Sequence, residues 1–107
     1  MRFTRVSELF VDNSAIHGMG CFTQVRIEKG ERFKFYVLPL EKPHAFPHHA
    51  FPFDEHHSCV VLSEFSYCNH SITPNFEMVD MNKVERSITF EALRDIPEYS
   101  ELTIEYK

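Results

Sequence analysis

The sequence predicts a mostly β protein that is built from short strands. Helical periodicity is scarce along the 107 residues, whereas short runs rich in β-branched and aromatic side chains recur between turn signals. A chain of this length forms one domain, 1–107, and it buries roughly two-thirds of its unfolded surface, which is enough for one modest core. Because phenylalanine contributes 11 residues and tryptophan none, we expect that core to be aromatic.

The predicted strands follow one another with turn residues between them. They are 3–11, 20–25, 32–38, 59–62, 84–92 and 101–106. The clearest alternation lies in 84–92 and places Val84 and Ile88 on one face. In the last segment, Ile104 and Tyr106 share a face, since successive strand side chains point to opposite sides of a sheet. Tyr106 is therefore predicted to point toward the core.

The segment 39–57 differs in composition from the rest of the chain. It contains the prolines Pro39, Pro43, Pro47 and Pro52, with Phe46, Phe51 and Phe53 between them. Repeated prolines disfavour a continuous helix or a central strand. We therefore predict that 39–57 is a loop insertion that its aromatic side chains hold in place, and long loops of this kind are often functional.

The charge balance bears on the class of partner. The net charge is -5 and the isoelectric point is near 5.8. This argues against direct nucleic-acid binding, which requires a basic surface. It is compatible with a basic protein partner such as a lysine-rich tail, because opposite charges favour encounter.

The cysteines and the N-terminus bear on the compartment. The three cysteines are an odd number without close pairing, which disfavours a disulfide framework and favours a reducing cytosol. The first residues lack the apolar stretch of a signal peptide, and no run reaches membrane-spanning length. We expect a soluble, cytoplasmic protein without a membrane partner.

Three short motifs suggest one folded site. The first contains Gly18-Met19-Gly20, where glycines allow a positive φ and close approach of a ligand. A plain turn also explains this pair, and a dinucleotide fingerprint would need a third glycine and a following helix. The second is Asn69-His70-Ser71 with Pro74-Asn75, which can hold backbone groups in place for a polar ligand or form a well-capped turn. The third, 101–106, ends on Tyr106, which could equally serve packing.

Together and in this order, the motifs resemble those of the SET-domain protein lysine methyltransferases, especially the short stand-alone proteins of bacteria and large viruses. The resemblance extends over essentially the whole chain. It implies a β-clip, SET-like fold of small curved sheets. It also implies that the C-terminal segment passes beneath a surface loop and forms a pseudoknot, which would bring the three distant motifs together.

The resemblance also implies roles for individual residues. The pocket for S-adenosylmethionine would consist of His17, Gly18, Met19, Gly20, Asn69 and His70. Tyr67 and Tyr106 would line the channel in which the target lysine meets the methyl group, with Tyr106 in the catalytic position. We expect Tyr106 to act by positioning and electrostatics rather than as a general base. Since the attacking lysine must be neutral, a desolvated channel beside the sulfonium charge would favour loss of its proton.

The sequence departs from the family pattern at several positions. Ser63 and Phe65 stand where short members often have glycine, and Tyr99 stands where the late turn usually has glycine. The chain stops at Lys107, without the usual C-terminal lid over the site. Three expectations remain open: a homodimer partner covers the site, the loop 39–57 covers it, or the chain is a catalytically silent SET-like binding module.

Two further chemistries are weaker alternatives. Five of the seven histidines lie between His44 and His57, and with Asp54, Glu55 and Cys59 they could bind zinc or nickel. Adjacent histidines on an extended segment point in opposite directions, however, and the spacing matches no standard site. We therefore assign no metal ligand. Cys68 near His70 could be a thiol nucleophile, but a small buried apolar role suits it better.

Overall fold

The computed structural model describes residues 8–42 and 50–106, and within them nine strands form two sheets. The four-stranded sheet has the order β1-β2-β9-β6. Its strands are β1 (Leu9–Asn13), β2 (Met19–Thr23), β9 (Glu101–Ile104) and β6 (Asn69–His70). No helix in the described ranges is long and apolar enough to cross a membrane.

The five-stranded sheet has the order β4-β5-β3-β8-β7 and is antiparallel throughout. Its strands are β3 (Arg32–Glu41), β4 (Ala50–Pro52), β5 (His57–Val61), β7 (Phe76–Asn82) and β8 (Ser87–Ala92). The predicted mostly β architecture of small curved sheets is confirmed.

The core is aromatic, as predicted. Phe33, Phe65, Phe76 and Phe90 are fully buried. Their rings pack with centroid separations between 4.6 Å for Phe65–Phe90 and 6.0 Å for Phe33–Phe65. Each buried phenylalanine contributes roughly 1.5–3 kcal/mol relative to an exposed one. This cluster is therefore the main source of stability on which the site is built.

A short 3₁₀ helix, Glu64–Tyr67, explains two of the departures from the family pattern. Ser63 is its N-cap, and its hydroxyl accepts a hydrogen bond from the Phe65 amide at 3.2 Å. Such a cap satisfies an amide that has no partner within the helix. Phe65 in turn is fully buried in the aromatic core. The two side chains thus start this helix and fix it to the core.

The alternation predicted for 84–92 holds only in its second half. Strand β8 begins at Ser87, and Val84 is 98% exposed in the preceding turn. Ile88 is buried as predicted, but the intervening Ser87 and Thr89 are buried as well. These small side chains stand between larger neighbours on the same face of the sheet, Lys34 and Tyr36 on β3 and Asp80 and Asn82 on β7.

The prediction of an irregular loop over 39–57 is wrong where strands occupy it. Strand β3 continues through Pro39 to Glu41, and β4 contains Pro52. The amide of Leu62 donates to the Tyr36 carbonyl, so Tyr36 and every second residue after it form backbone hydrogen bonds with β5. The Pro39 nitrogen therefore faces the opposite edge of β3. That side is unpaired there because β8 pairs only with 32–36 of β3. Residues 43–49 lie outside the described ranges.

Two turns of similar sequence pair with each other beside the four-stranded sheet. Ile27 and Ile96 are buried and exchange two backbone hydrogen bonds, of 2.9 Å and 2.7 Å. The first turn contains Gly30 at φ 90°, and the second contains Tyr99 at φ 62°. Glycine adopts positive φ without steric cost, whereas a tyrosine does not. Tyr99 is therefore a strained position in the turn that leads into β9.

Replacing Tyr99 by glycine should stabilise the protein. The side chain is 66% exposed, so little packing is lost, while relief of the left-handed strain is worth about 1–2 kcal/mol. The greater freedom of glycine in the unfolded chain offsets part of this gain, which leaves about 0.5–1 kcal/mol. Urea unfolding of Tyr99→Gly should show the increase. Gly30→Ala should show a decrease of similar size, and a stabilising Gly30→Ala would contradict the interpretation.

Candidate functional site

The C-terminal strand brings the three motifs together. Strand β9 lies between β2, to which it is antiparallel, and β6, to which it is parallel. The register pairs Cys21 with Leu102 on one side and Asn69 with Thr103 on the other. Residues that are distant in sequence therefore become neighbours around a single strand.

The Asn69 side chain is the centre of this arrangement. Its amide nitrogen Nδ2 lies 3.0 Å from Ser14 Oγ, 3.0 Å from the His17 carbonyl, 3.2 Å from the Met19 carbonyl and 2.9 Å from Glu101 Oε2. Two carbonyls and a carboxylate can only accept, so the nitrogen must face them. Asn69 is buried and connects β6 to the Gly-x-Gly segment and to β9.

Ser14 and Glu101 complete the network. The Ser14 hydroxyl lies 2.8 Å from both carboxylate oxygens of Glu101. The Ser14 hydroxyl oxygen also accepts hydrogen bonds from the amides of Ile16, at 2.9 Å, and His17, at 3.2 Å. Ser14 thus closes the turn before Gly18 and anchors it to the first residue of β9.

The two glycines of the first motif serve different purposes. Gly18 has φ 47°, and its surroundings are open, so glycine is favoured there by the backbone conformation and not by lack of space. At Gly20, an added Cβ would overlap the Glu101 carboxyl group, whose Cδ would lie 2.9 Å away, and would crowd Asn69 Nδ2 at 3.2 Å. The close approach that glycine permits here is thus an approach to the chain's own side chains.

Asn75 holds β9 from the other side. Its Nδ2 donates to the Glu101 carbonyl at 2.9 Å, and its Oδ1 accepts from the Thr103 amide at 2.8 Å. The Asn75 amide donates to Thr103 Oγ1 at 3.2 Å. These bonds replace those that another strand would make. Arg94 fixes the same loop by donating to the Pro74 carbonyl at 2.7 Å.

The sequence analysis did not assign Ser14, Asn75 or Glu101 to the site. Asn75 and Glu101 lie inside motifs that it identified, and Glu101 is the first residue of the predicted strand 101–106. Their place in these motifs was the signal that could have singled them out. Ser14 carried no such signal beyond its place in a turn, because its partners lie 55 and 87 residues away.

Tyr106 lies just past β9 and packs against the core, as its predicted direction required. Its hydroxyl donates to the Cys68 carbonyl at 2.9 Å, and its amide donates to His70 Nδ1 at 3.1 Å. The ring stacks on Phe51, with the centroids 5.1 Å apart. Burial raises the pKa of the Tyr106 phenol well above its usual range, so the group stays protonated and does not act as a base at neutral pH.

The other predicted site residues are at the surface. His17 and Met19 have exposed side chains and contribute their carbonyls to the network. His70 is exposed, and its ring accepts from the Tyr106 amide. Tyr67 is exposed at the end of the 3₁₀ helix, next to the residue whose carbonyl binds Tyr106. Its predicted place in a channel stays a prediction.

A groove of about 300 Å³ is lined by residues that flank Tyr106. Phe51, which stacks on Tyr106, forms part of its wall, and Ile104 and Glu105 belong to it as well. The further apolar lining comes mainly from Pro52, Pro74, Phe76, Met78, Phe90 and Leu93. Glu77 also borders the groove, although the strand register directs its side chain to the same sheet face as Glu91. The groove is thus mainly apolar.

The cysteines do not provide a nucleophile. Cys21, Cys59 and Cys68 are free and buried. Burial raises the pKa of the Cys59 thiol to about 11 and that of Cys68 well above its usual range. The reactive form of a cysteine is the thiolate. Cys68 therefore serves as the small buried apolar residue that its position suggested.

The histidine-rich segment is only partly described. Asp54 binds the His57 ring, with Oδ1 and Nδ1 2.8 Å apart, and accepts from the His56 amide at 2.9 Å. The hydrogen bond from His57 lowers the pKa of Asp54. Within 8–42 and 50–106, no three His, Cys, Asp or Glu side chains are grouped to hold a metal. The remaining histidines of the metal hypothesis, His44, His48 and His49, lie outside the described residues.

Substitution of Gly20 by alanine should disrupt the network. The new Cβ must displace the Glu101 carboxylate from Ser14 and Asn69. Overpacking of this kind costs about 1–3 kcal/mol. Chemical unfolding should measure that loss. The matched control is Gly18→Asn, since asparagine tolerates positive φ and the space is open there. Equal losses for both variants would contradict the steric role of Gly20.

Substitution of Asn69 by aspartate should give a pH-dependent loss of stability. The new carboxylate would face Glu101 and two carbonyls, which raises its pKa in the folded state. An acid whose folded pKa is raised destabilises the fold above that pKa, and the loss shrinks as the pH falls toward 4. We expect about 3 kcal/mol at pH 7. Asn69→Ala should show a loss that is independent of pH; a flat profile for Asn69→Asp would refute this.

Comparisons with known proteins agree with this geometry. The sequence model for the SET domain matches residues 18–107. A Plasmodium falciparum protein described as a candidate histone methyltransferase has a similar structure, with a TM-score of 0.77, 17% identity, and coverage of 94% of this chain and 93% of that chain. The methyltransferase domain of human PR domain-containing protein 2 is also similar, with a TM-score of 0.70 and 18% identity. That match covers 94% of this chain and 77% of that chain. A search of curated sequences gave no match. The family match, which covers most of the chain, places this protein in the SET-domain family.

Proposed function

We propose that the protein transfers a methyl group from S-adenosylmethionine to a lysine side chain of a protein substrate. The observation that carries the proposal is the convergence of Gly20, Asn69 and Tyr106 around β9 in a SET-domain chain. The first two belong to the network around the Glu101 carboxylate. The third follows the other end of this strand and stacks on Phe51 of the groove.

The residues around Asn69 suit a cationic cofactor. Their polar groups include the carbonyls of His17 and Met19 and the half-buried carboxylate of Glu101. Among the described residues, this carboxylate accepts from neutral donors, Ser14 and Asn69, and from no cation. An ammonium or sulfonium group would find compensating negative charge there. The cofactor supplies an activated methyl group.

The residues that would hold the cofactor are those of the first two motifs. The backbone of Gly18, Met19 and Gly20 would contact its amino-acid part, and His17 would flank the pocket. Asn69 would act mainly by fixing that backbone, because its amide nitrogen is already shared among four acceptors. His70 is exposed beside Tyr106 and would face the adenine group.

Tyr106 would orient the incoming amine. Its proton is directed at the Cys68 carbonyl, so the phenol oxygen keeps its lone pairs free to accept from the lysine amine or from polarised C–H groups. Phe51 fixes the plane of the ring. A fixed acceptor beside the reacting atoms contributes by positioning, and it needs no ionisation of the phenol.

The groove beside Tyr106 would receive the substrate. Its apolar wall, with Phe51 and Met78, suits the aliphatic stem of a lysine. Loss of water around the amine favours its neutral form, which is the nucleophile. The net charge of -5 favours a basic substrate protein. Three buried free thiols suit a reducing compartment such as the cytoplasm.

Replacing Tyr106 by phenylalanine should slow methyl transfer more than it weakens cofactor binding. Loss of one positioned polar group costs about a hundredfold to a thousandfold in rate, while the cofactor contacts proposed above do not use the phenol. Mass spectrometry of a lysine-rich protein incubated with labelled cofactor measures the rate, and calorimetry measures cofactor binding. The pH at which the rate rises should stay unchanged, since the phenol is not the base. Tyr36→Phe removes an exposed hydroxyl elsewhere and is the matched control.

Other outcomes would identify other functions. Equal losses of rate and cofactor affinity in Tyr106→Phe would contradict the channel role. Cofactor binding without methylation of any basic protein would favour a silent SET-like binding module. Absence of cofactor binding at high micromolar concentration, with and without a lysine peptide, would reject the proposed function.

A further inference from the structure

The backbone of Tyr106 is held by a side chain from the second motif. The Tyr106 amide donates to His70 Nδ1 at 3.1 Å. This bond lies just beyond the backbone bond of 2.9 Å from the Ser71 amide to the Ile104 carbonyl. Strand β6 is only two residues long, so the imidazole extends its pairing with β9 toward Tyr106. His70 therefore fixes the backbone of the residue that is proposed to orient the substrate amine.

This hydrogen bond requires one particular state of the imidazole ring. Nδ1 accepts only through a free lone pair, so the ring that binds the amide is neutral and carries its proton on Nε2. A protonated imidazole donates from both nitrogens, and its Nδ1 proton would then face the Tyr106 N–H. Because two donors cannot pair, protonation of His70 releases the Tyr106 amide. Histidines change charge between about pH 5 and 8.

Other titratable side chains lie on the elements around β6, which are the 3₁₀ helix, β9 with the residues after it, and the turn before β2. They are Glu64, Tyr67, Cys68, Glu101, Glu105, Tyr106 and His17. Burial raises the pKa of the Cys68 thiol and of the Tyr106 phenol, so both stay protonated. Carboxylic acids as a class titrate near pH 4, below the range of histidine. His17 is therefore the residue that a control variant must exclude.

We infer that neutral His70 is a positioning residue for Tyr106 and that its protonation makes the site sensitive to acid. The effect on methylation rests on the proposed function, in which Tyr106 orients the amine, whereas the contact itself does not. When the ring gains a proton, Tyr106 keeps its phenol bond to Cys68 and its stack on Phe51 but loses the anchor of its backbone. The phenol oxygen is then a less firmly fixed acceptor, and positioning suffers.

The first test follows the Tyr106 amide by NMR between about pH 8 and 5, without cofactor or substrate. In the wild-type protein, the signal should move toward that of an amide bound to water, with the same midpoint as the His70 ring signals. The Overhauser contact between the Tyr106 and Phe51 rings should weaken over the same range. His70→Asn supplies an amide oxygen in place of Nδ1 and does not titrate, so both observables should stay constant. His17→Asn is the matched control and should titrate like the wild type. Circular dichroism verifies that each variant is folded.

The second test compares the methylation rates of the wild-type protein and His70→Asn at saturating cofactor. Protonation of the substrate lysine slows both proteins equally, so it cancels in the ratio of wild-type rate to variant rate. This ratio should fall by about fivefold from pH 8 to pH 5, which is the effect of losing one hydrogen bond.

A Tyr106 amide that does not follow the His70 titration, or that titrates unchanged in His70→Asn, would overturn the inference. A rate ratio that is constant with pH would overturn the positioning role even if the amide titrates. If no peptide is methylated, the proposed enzymatic function fails, and the amide signal and the ring contact still decide whether His70 holds Tyr106.

Discussion

The site depends on the placement of β9 between β2 and β6. A strand in this position satisfies backbone hydrogen bonds on both sides at once, and the side chain of Asn75 extends the pairing. Asn69 and Ser14 then connect the start of β9 to the Gly-x-Gly turn through Glu101. Because unsatisfied buried polar groups are costly, these contacts specify one position for the strand. Tyr106 lies two residues after the end of β9, so the position of the strand determines the position of Tyr106.

The same constraint separates two environments along β9. At the start of the strand, the Glu101 carboxylate and two carbonyls form a polar network that Asn69 holds together. Past its end, Phe51 and the aromatic core support an apolar groove. A cationic cofactor and the stem of a lysine have opposite requirements for solvation. Tyr106 stacks on Phe51 beyond the groove end of the strand.

The sequence predicted what depends on local pattern. The short strands, the aromatic core and the three motifs follow from alternation, turn residues and composition. The sequence-based prediction failed where strand pairing determines the structure. Pro39 lies inside a strand because its nitrogen faces an unpaired edge. Val84 is exposed because the turn before β8 extends to Arg86. Ser14 escaped notice because its role arises from partners 55 and 87 residues away. Long-range pairing of this kind leaves no local sequence signature.

The most direct test of the central claim is an amide NMR titration of the protein with S-adenosylmethionine. The account predicts that the signals of Gly18, Gly20, Asn69 and Tyr106 shift together and saturate with a single dissociation constant. Shifts confined to one of these motifs, or separate constants for the different motifs, would contradict a single site assembled around β9.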